Sequence, residues 1–519
     1  MKDVERSRYV TGRQQLSAVD FLCHVHVKLI TISRSRTACM LLFVRSSRRF
    51  RNGHGKAVLR NGLQSSRHLL TLAIESSCDD TSVAVLESNK TRNGNLVATL
   101  HFHEKVTANT DVFRGIHPII ALESHQSSLA PLVQKAIEHL PIFSPNDPVP
   151  SVSNLLPGSH DGQLRKKPDF VSVTRGPGMR SNLSCGLDTA KGLSLAWNVP
   201  LLGVHHMQAH ALTPRLVSAL SASTAKPGLR PQLAGDGSLK PDFPFLSLLV
   251  SGGHSMLISS TSITDHSILA STGDIALGDC LDKAARAILP SEAVSTPYGH
   301  ALERFAFPDG ESSYAYTPPK DRGQELERRK SAYGWSLGPP LAESKGGRSS
   351  KRMEYSFAGL LTSVDRFMRL QLDSSGTPTL TPRDPASISL EERREMAREV
   401  QRVAFEHLAG RVLLHLSSLK LAEREKVRNL VVSGGVAANS FLRHVLRSIL
   451  DARGYKDIEL SFPPVELCTD NAAMIAWAGC EMWNAGWRSE LSIKPIRKWS
   501  LDAEAEDGGI LGAEGWARR

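Results

Sequence analysis

A unit that occurs twice constrains the fold most. Phe245-Leu246-Ser247-Leu248-Leu249-Val250 runs into Ser251-Gly252-Gly253-His254, and Asn429-Leu430-Val431-Val432 runs into Ser433-Gly434-Gly435-Val436. Each reads as a strand that ends where the side chain vanishes, so backbone N–H groups can approach an anion closely. The second continues into Ala437-Ala438-Asn439-Ser440, a helix start whose dipole favours phosphate or ribose. One such turn is most often only a tight turn. Two of them, with a strand–polar turn–strand hairpin over residues 70–86, point to a nucleotide cleft.

The rest of the pattern alternates strands and helices, as an α/β chain does. Leu69–Ile74, Ser82–Leu86 and Phe170–Val173 read as strands, and His125–Leu140 and Leu183–Trp197 as helices. Ser389-Leu390-Glu391-Glu392 is a capping box opening a helix to about Leu419, and a last helix spans Asn471–Trp483. Segments 144–168 and 219–243 read as loops. Segment 316–353, charged and without a steady period, reads as an exposed insertion. A chain of 519 residues supports two lobes. Their expected spans are 69–204 and 205–500, with the last helix able to pack on the first lobe and 501–519 a tail.

Charge separates the first part from the rest. Residues 1–70 hold 14 basic and three acidic residues, a net +11 that equals the net charge of the whole chain. From Phe21 to Leu70 there is no acidic residue, while Arg recurs among Ser and Leu. That composition predicts a disordered mitochondrial transit peptide over 1–68, with Met40 able to serve as its start; a basic nucleic-acid-binding arm is the alternative. Seven cysteines form no C-x-x-C pair, which fits reduced thiols in an intracellular compartment. No apolar run is long enough to span a membrane.

After the apolar strand Val199–Val204 comes His205-His206-Met207-Gln208-Ala209-His210. On a helix, His206 and His210 stand one turn apart on one face and can grip one divalent ion. A metalloprotease helix shares this spacing but carries a Glu after the first His. Met207 cannot serve as that base, so an ion here orients a ligand rather than activating water. A pair of hydrogen-bonded histidines near a helix start is an equal reading of the spacing alone.

These motifs, with Glu75-Ser76-Ser77-Cys78-Asp79-Asp80-Thr81, Gly176-Pro177-Gly178, Leu281-Asp282-Lys283-Ala284-Ala285 and Cys468-Thr469-Asp470-Asn471-Ala472-Ala473, resemble in order the TsaD-type tRNA threonylcarbamoyladenosine transferases over residues 70–500. With the leader, the chain looks like a mitochondrial member. The resemblance implies the two-lobed actin-like, sugar-kinase-like ATPase fold. It implies transfer of threonylcarbamoyl from threonylcarbamoyl-AMP to N6 of the adenosine beside the anticodon, in tRNAs reading ANN codons, in the mitochondrial matrix. It places one divalent ion, Zn or Fe, per subunit of a homodimer on His206, His210 and Asp470. The adenylate would lie against Ser251, Gly252, Gly253, His254 and Ser255, with Asp282, Gly299 and Asn439. Asp79 matches the acidic residue of the first phosphate turn and is the expected proton acceptor.

Each assignment has a plainer rival. Thr469 or Asp470 could cap the last helix, Asn439 could cap the helix after it, and Asp282 could be an exposed ion-pairing carboxylate. The chain departs from the family pattern at Asp80, Arg175, Tyr298-Gly299-His300 and Leu361. A charge-neutral body needs local basic patches to bind tRNA; the candidates are Arg328-Arg329-Lys330, Lys345–Arg352, and Lys494 with Arg497-Lys498. The rival functions are a metallopeptidase, which lacks its Glu, and a kinase or ATPase of the same fold, which lacks a sugar-site signature.

Overall fold

The computed structural model describes residues 68–90, 96–110, 116–144, 155–157, 161–224, 239–342 and 349–518. The leader, apart from His68, lies outside them, as does most of the loop 219–243. No helix among the described residues is long and apolar enough to cross a membrane.

Two sheets share one plan. In the first, Leu69–Glu75, Asp80–Lys90, Leu96–Thr107, Phe170–Gly176 and Leu201–His205 are strands 1 to 5 in chain order and lie in the spatial order 3-2-1-4-5. Strand 2 is antiparallel to both neighbours, while 4 and 5 run parallel to 1. In the second, Phe245–Val250, Ser255–Ser260, His266–Thr272, Asn429–Ser433 and Glu459–Ser461 repeat that order and polarity. This duplicated plan is the α/β, actin-like and sugar-kinase-like architecture expected. Strands 1 and 4 of each sheet are central and buried on both faces, so they read as continuous apolar runs.

Sheet membership departs from a boundary at residue 204 and from a tail at 501–519. Helix His206–Thr224 packs with the first-sheet residues Ala73, Ala84 and Phe170, as does Ala472–Asn484 in line with expectation, in a core cluster that also holds Phe245, Leu249, Ile258 and Val431 of the second sheet. Trp487–Ser489 and Trp516–Arg518 pair antiparallel and join the same sheet, Ser489 opposite Leu201. Leu501 and Ile510 are buried, and Trp499 Nε1 donates to Gly509 O at 2.9 Å. The apolar residues here are few and scattered among charged residues and glycines, so no periodic run betrays them.

Other differences are local. Leu155–Pro157 pairs with Leu164–Lys166 inside the expected loop 144–168. The insertion is anchored rather than exposed throughout, because Trp335 and Leu337 sit in the core. Ser389 caps the long helix Leu390–Ser418 as expected, accepting from Glu392 N–H at 3.1 Å. Glu392 does not reach back, however; its carboxylate takes the Arg383 guanidinium, one contact at 2.8 Å, and Trp335 Nε1 at 3.2 Å.

His266 gives the fold an acid-labile point. It is 1% exposed, its Nε2–H donates to Ile263 O at 2.8 Å, and its Nδ1 accepts from Ser260 Oγ at 2.8 Å. Burial pushes its pKa down to about 4, with partial relief from the Ile263 carbonyl. The unfolded imidazole, near 6.5, takes a proton that the folded one refuses. Stability therefore falls as pH drops from about 6.5 to about 4, by about 3 kcal/mol from this residue. Thermal unfolding of His266→Asn should show a shallower loss over that window than wild type; equal slopes would remove His266 as a cause.

Candidate metal centre and nucleotide cleft

The strand Leu201–His205 runs directly into the helix His206–Thr224, so His206 is its first residue and His210 lies one turn on. Their Nε2 atoms are 3.2 Å apart, with the rings edge to face. Asp470 Oδ1 lies 3.1 Å from His210 Nε2 and 3.4 Å from His206 Nε2. What frees Asp470 is its neighbour: Asn471 Oδ1 caps the last helix by accepting Met474 N–H at 3.0 Å. Thr469 Oγ1 instead accepts Lys105 Nζ at 3.0 Å. The capping alternative for Asp470 and Thr469 thus falls. The two helices that bring the trio together are clamped by a buried, two-pronged pair, Arg215 Nε to Glu481 Oε1 at 2.8 Å and Nη2 to Oε2 at 3.0 Å.

A fourth residue stands behind the trio. Glu75, fully buried at the end of strand 1, places Oε2 3.3 Å from His206 Nδ1 and accepts Ser77 N–H at 2.6 Å and the Thr174 hydroxyl. Burial alone would lower the His206 pKa, but the Asp470 and Glu75 carboxylates outweigh it and raise it well above the usual range. Against the same opposing burial, His206 holds Asp470 well below and Glu75 below the usual carboxylate range. The field at this point favours positive charge.

A divalent ion fits that demand. The three donor atoms lie within 4.8 Å of one another, and two imidazoles with one carboxylate suit Zn²⁺ or Fe²⁺. Glu75 accepts Nδ1–H and turns the Nε2 lone pair toward the trio, the usual outer-shell device. Glu75→Gln should lower divalent-metal affinity about 10- to 100-fold without unfolding the protein. Unchanged metal retention against a competing chelator would remove that role. The sequence motif contained Glu75 but carried no sign of it, since its partner His206 is 131 residues away.

The trio opens into a cleft of about 580 Å³ walled by four turns: Ser77–Asp80, Pro177–Met179, Ser251–His254 and Gly434–Gly435. These follow strands 1 and 4 of each sheet, so the duplicated fold converges on one space. Backbone contact sets their shape. A Cβ on Gly434, at φ +95°, would lie 2.4 Å from Val250 O, and one on Gly178 would lie 2.7 Å from Ser77 O. A Cβ on Gly252 or Gly253 would meet nothing within 4 Å, so a ligand can come close to the backbone there.

The cleft gathers His206, His210, Asp470, Asp79, Ser251, Gly252, Gly253 and His254. Asp79 and Asp80 both line the cleft, but Asp80 is held by Lys105 Nζ at 2.9 Å and by the Thr107 hydroxyl. The turn is braced by His125 Nε2, 3.0 Å from Cys78 O, and by Asn182 Nδ2, which donates to the same carbonyl at 2.5 Å. Burial, then the Asp79 charge, pushes the Cys78 thiol up and keeps it protonated. Arg497 and Lys498 also line the cleft.

Four expected contacts are not in the cleft lining. Ser255 is buried and accepts Leu277 N–H at 2.8 Å. Asp282 accepts Gly299 N–H at 2.9 Å, so those two meet each other. Asn439 spends both ends of its amide internally, capping at Leu442 N (2.9 Å) and donating to Gln401 Oε1 (2.9 Å).

A family model described as tRNA N6-adenosine threonylcarbamoyltransferase, TsaD, matches residues 162–477. A Schizosaccharomyces pombe protein named mitochondrial tRNA N6-adenosine threonylcarbamoyltransferase is 35% identical over 459 residues, covering 87% of this chain and 90% of its own. The chain belongs to the tRNA N6-adenosine threonylcarbamoyltransferase family. A Paramagnetospirillum magneticum tRNA N6-adenosine threonylcarbamoyltransferase is 30% identical, covering 85% of this chain and 99% of its own. Among solved structures, that of HypF from T. kodakarensis covers 83% of this chain and 49% of its own, at 14% identity and a TM-score of 0.33. His206, His210, Asp470 and three of the four turns, all but Ser77–Asp80, fall within the stretch that matches the transferase family model.

Proposed function

We propose that this chain transfers threonylcarbamoyl from threonylcarbamoyl-AMP to N6 of the adenosine adjacent to the anticodon, in mitochondrial tRNAs reading ANN codons. The observation that carries this is the convergence of His206, His210 and Asp470 with the Ser251–His254 turn in one cleft, in a chain of this family. One divalent ion held by the trio would supply Lewis-acid polarisation and orient substrate oxygens. Ser251–His254 receives the adenylate, the open space above Gly252 and Gly253 admitting its phosphate to the backbone. Asp282 stands on the helix Leu277–Ile288, whose Gly278 N–H donates to Ser251 O at 3.1 Å, and its bond to Gly299 N–H sets the backbone on the side proposed for the ribose. Ser255 and Asn439 hold those elements in register.

The carbamoyl carbon of a mixed anhydride is already electrophilic, so this chain's residues mainly position it and stabilise growing charge. The incoming exocyclic amine must lose a proton, and Asp79, with its neighbour Asp80 neutralised by Lys105, accepts it. The matrix is the site of action, reached through the basic leader, and the enzyme works as a homodimer.

The experiment is incubation of purified protein with labelled threonylcarbamoyl-AMP and unmodified tRNA, followed by nucleoside analysis by mass spectrometry. Label in N6-threonylcarbamoyladenosine is the expected result; label in no nucleoside would refute the reading. Asp79→Ala should cut transfer about 10²- to 10⁴-fold at normal metal content, the range for loss of a general base. Full activity in that variant would end the role of Asp79.

A further inference from the structure

We propose that the pocket between the inserted segment 326–342 and the helix Ala358–Arg369 binds the ribose–phosphate backbone of the tRNA substrate. This rests on the tRNA-modifying reading above. The pocket holds about 710 Å³, and Arg328, Lys330 and Arg366 converge on it together with the hydroxyl-bearing Ser336 and Ser363; among the described residues no Asp or Glu lines it. Lys330 and Arg366 are exposed, and neither belongs to an ion pair among the described residues. Their neighbours differ: Arg329 faces Glu406 at 3.7 Å, Arg352 faces Glu354 at 2.5 Å, and Arg369 faces Asp365 at 2.7 Å. Asp373, in the adjoining hairpin loop, turns its Oδ1 to the Ser375 and Thr377 N–H groups, at 2.8 and 2.9 Å.

The walls are fixed. Trp335 and Leu337 bury the insertion in the core, and Trp335 Nε1 donates to Glu392 at 3.2 Å. A Cβ on Gly376, at φ +84°, would lie 2.1 Å from Gly334 O, so two loops meet there backbone to backbone. A Cβ on Gly338 would lie 2.9 Å from Arg328 Nη2, so this glycine makes room for the guanidinium. The pocket is also tied to the cleft. Asp274 accepts Ser356 Oγ–H at 2.6 Å, Phe357 N–H at 2.9 Å and Ala358 N–H at 3.2 Å, which fixes the start of the helix that carries Arg366. Three and four residues on, Leu277 N–H donates to Ser255 Oγ, just past the Ser-Gly-Gly turn, and Gly278 N–H to Ser251 O within it. A polyanion held here is held on the same rigid frame as the cleft. Its recognition group is phosphate rather than base, because the lining is mostly polar with cations and hydroxyls. A body of zero net charge needs such a local concentration of cations to hold RNA.

The test is fluorescence anisotropy of a labelled, unmodified tRNA transcript across a range of KCl concentrations, with the intact protein. Lys330→Glu and Arg366→Glu should each weaken binding about tenfold at low salt and reduce the log–log salt slope by about one, while Arg366→Lys stays near wild type. KM for threonylcarbamoyl-AMP should not change. Wild-type affinity and slope in both reversal variants, at wild-type Tm, would overturn the proposal. So would calorimetry showing that inorganic pyrophosphate binds wild type and not Arg366→Glu while tRNA affinity is unchanged, which marks a small-phosphate site. If wild type binds tRNA with these charge effects yet transfers no threonylcarbamoyl, the pocket stands and the transferase reading falls.

Discussion

Asp470→Asn should lower kcat/KM for threonylcarbamoyl transfer by on the order of 10³ and leave the purified protein without its divalent ion. The substitution is nearly isosteric and isolates the charge. Had Asp470 capped the last helix, Asn would serve equally well, because both are favoured N-caps. In this structure Asn471 makes the cap and Asp470 Oδ1 faces both imidazoles. Folding should therefore survive while metal binding does not. Asn471→Ala should show the complementary pattern, a loss of about 1 kcal/mol of stability with the three ligand residues intact. Metal content by plasma mass spectrometry, with Tm and transfer rate on the same samples, separates the two. An Asp470→Asn protein that keeps its ion and its rate would exclude the carboxylate as a ligand.

Glu481→Ala should destabilise the fold by about 3–5 kcal/mol, the usual cost of leaving one partner of a buried pair uncompensated. Arg215 is 9% exposed and Glu481 3%. Besides Glu481, Arg215 donates to Pro241 O at 2.7 Å and lies over the Phe243 ring. Because this pair joins the helix carrying His206 and His210 to the one that follows Asp470, metal affinity should fall with stability. Urea unfolding of the variant and of Arg215→Met/Glu481→Leu checks the cause. The double replacement should recover much of the stability, since apolar substitutes for a buried pair are often neutral or better. Equal losses in single and double variants would mean that packing, not stranded charge, sets the cost.

Much of this was legible in the chain because the fold is duplicated. Strands 1 and 4 of each sheet are buried on both faces and announce themselves as apolar runs, and each is followed by a turn rich in small residues. The histidine pair was legible because helical spacing brings i and i+4 together. What stayed hidden depends on contacts between distant segments. Nothing local says that Glu75 supports His206, or that Glu481 holds Arg215. The cap is not readable in sequence because Thr469, Asp470 and Asn471 are all capping residues, and only the structure shows that Asn471 makes it. The departures at Arg175 and Leu361 have structural reasons. Arg175 Nε donates to Lys494 O at 3.1 Å and the guanidinium lies over Trp499, so it holds the C-terminal segment on the first sheet. Leu361 packs against the core of the second sheet.

The most direct test of the central claim is threonylcarbamoyl transfer to unmodified mitochondrial tRNA before chelation, after it, and after return of one equivalent of Zn²⁺ or Fe²⁺. Activity that disappears with the ion and returns at one ion per chain in wild type, but not in His206→Ala or His210→Ala, is the predicted result. Transfer that persists at full rate in metal-free protein would contradict an ion held by two imidazoles and a carboxylate at the head of this cleft.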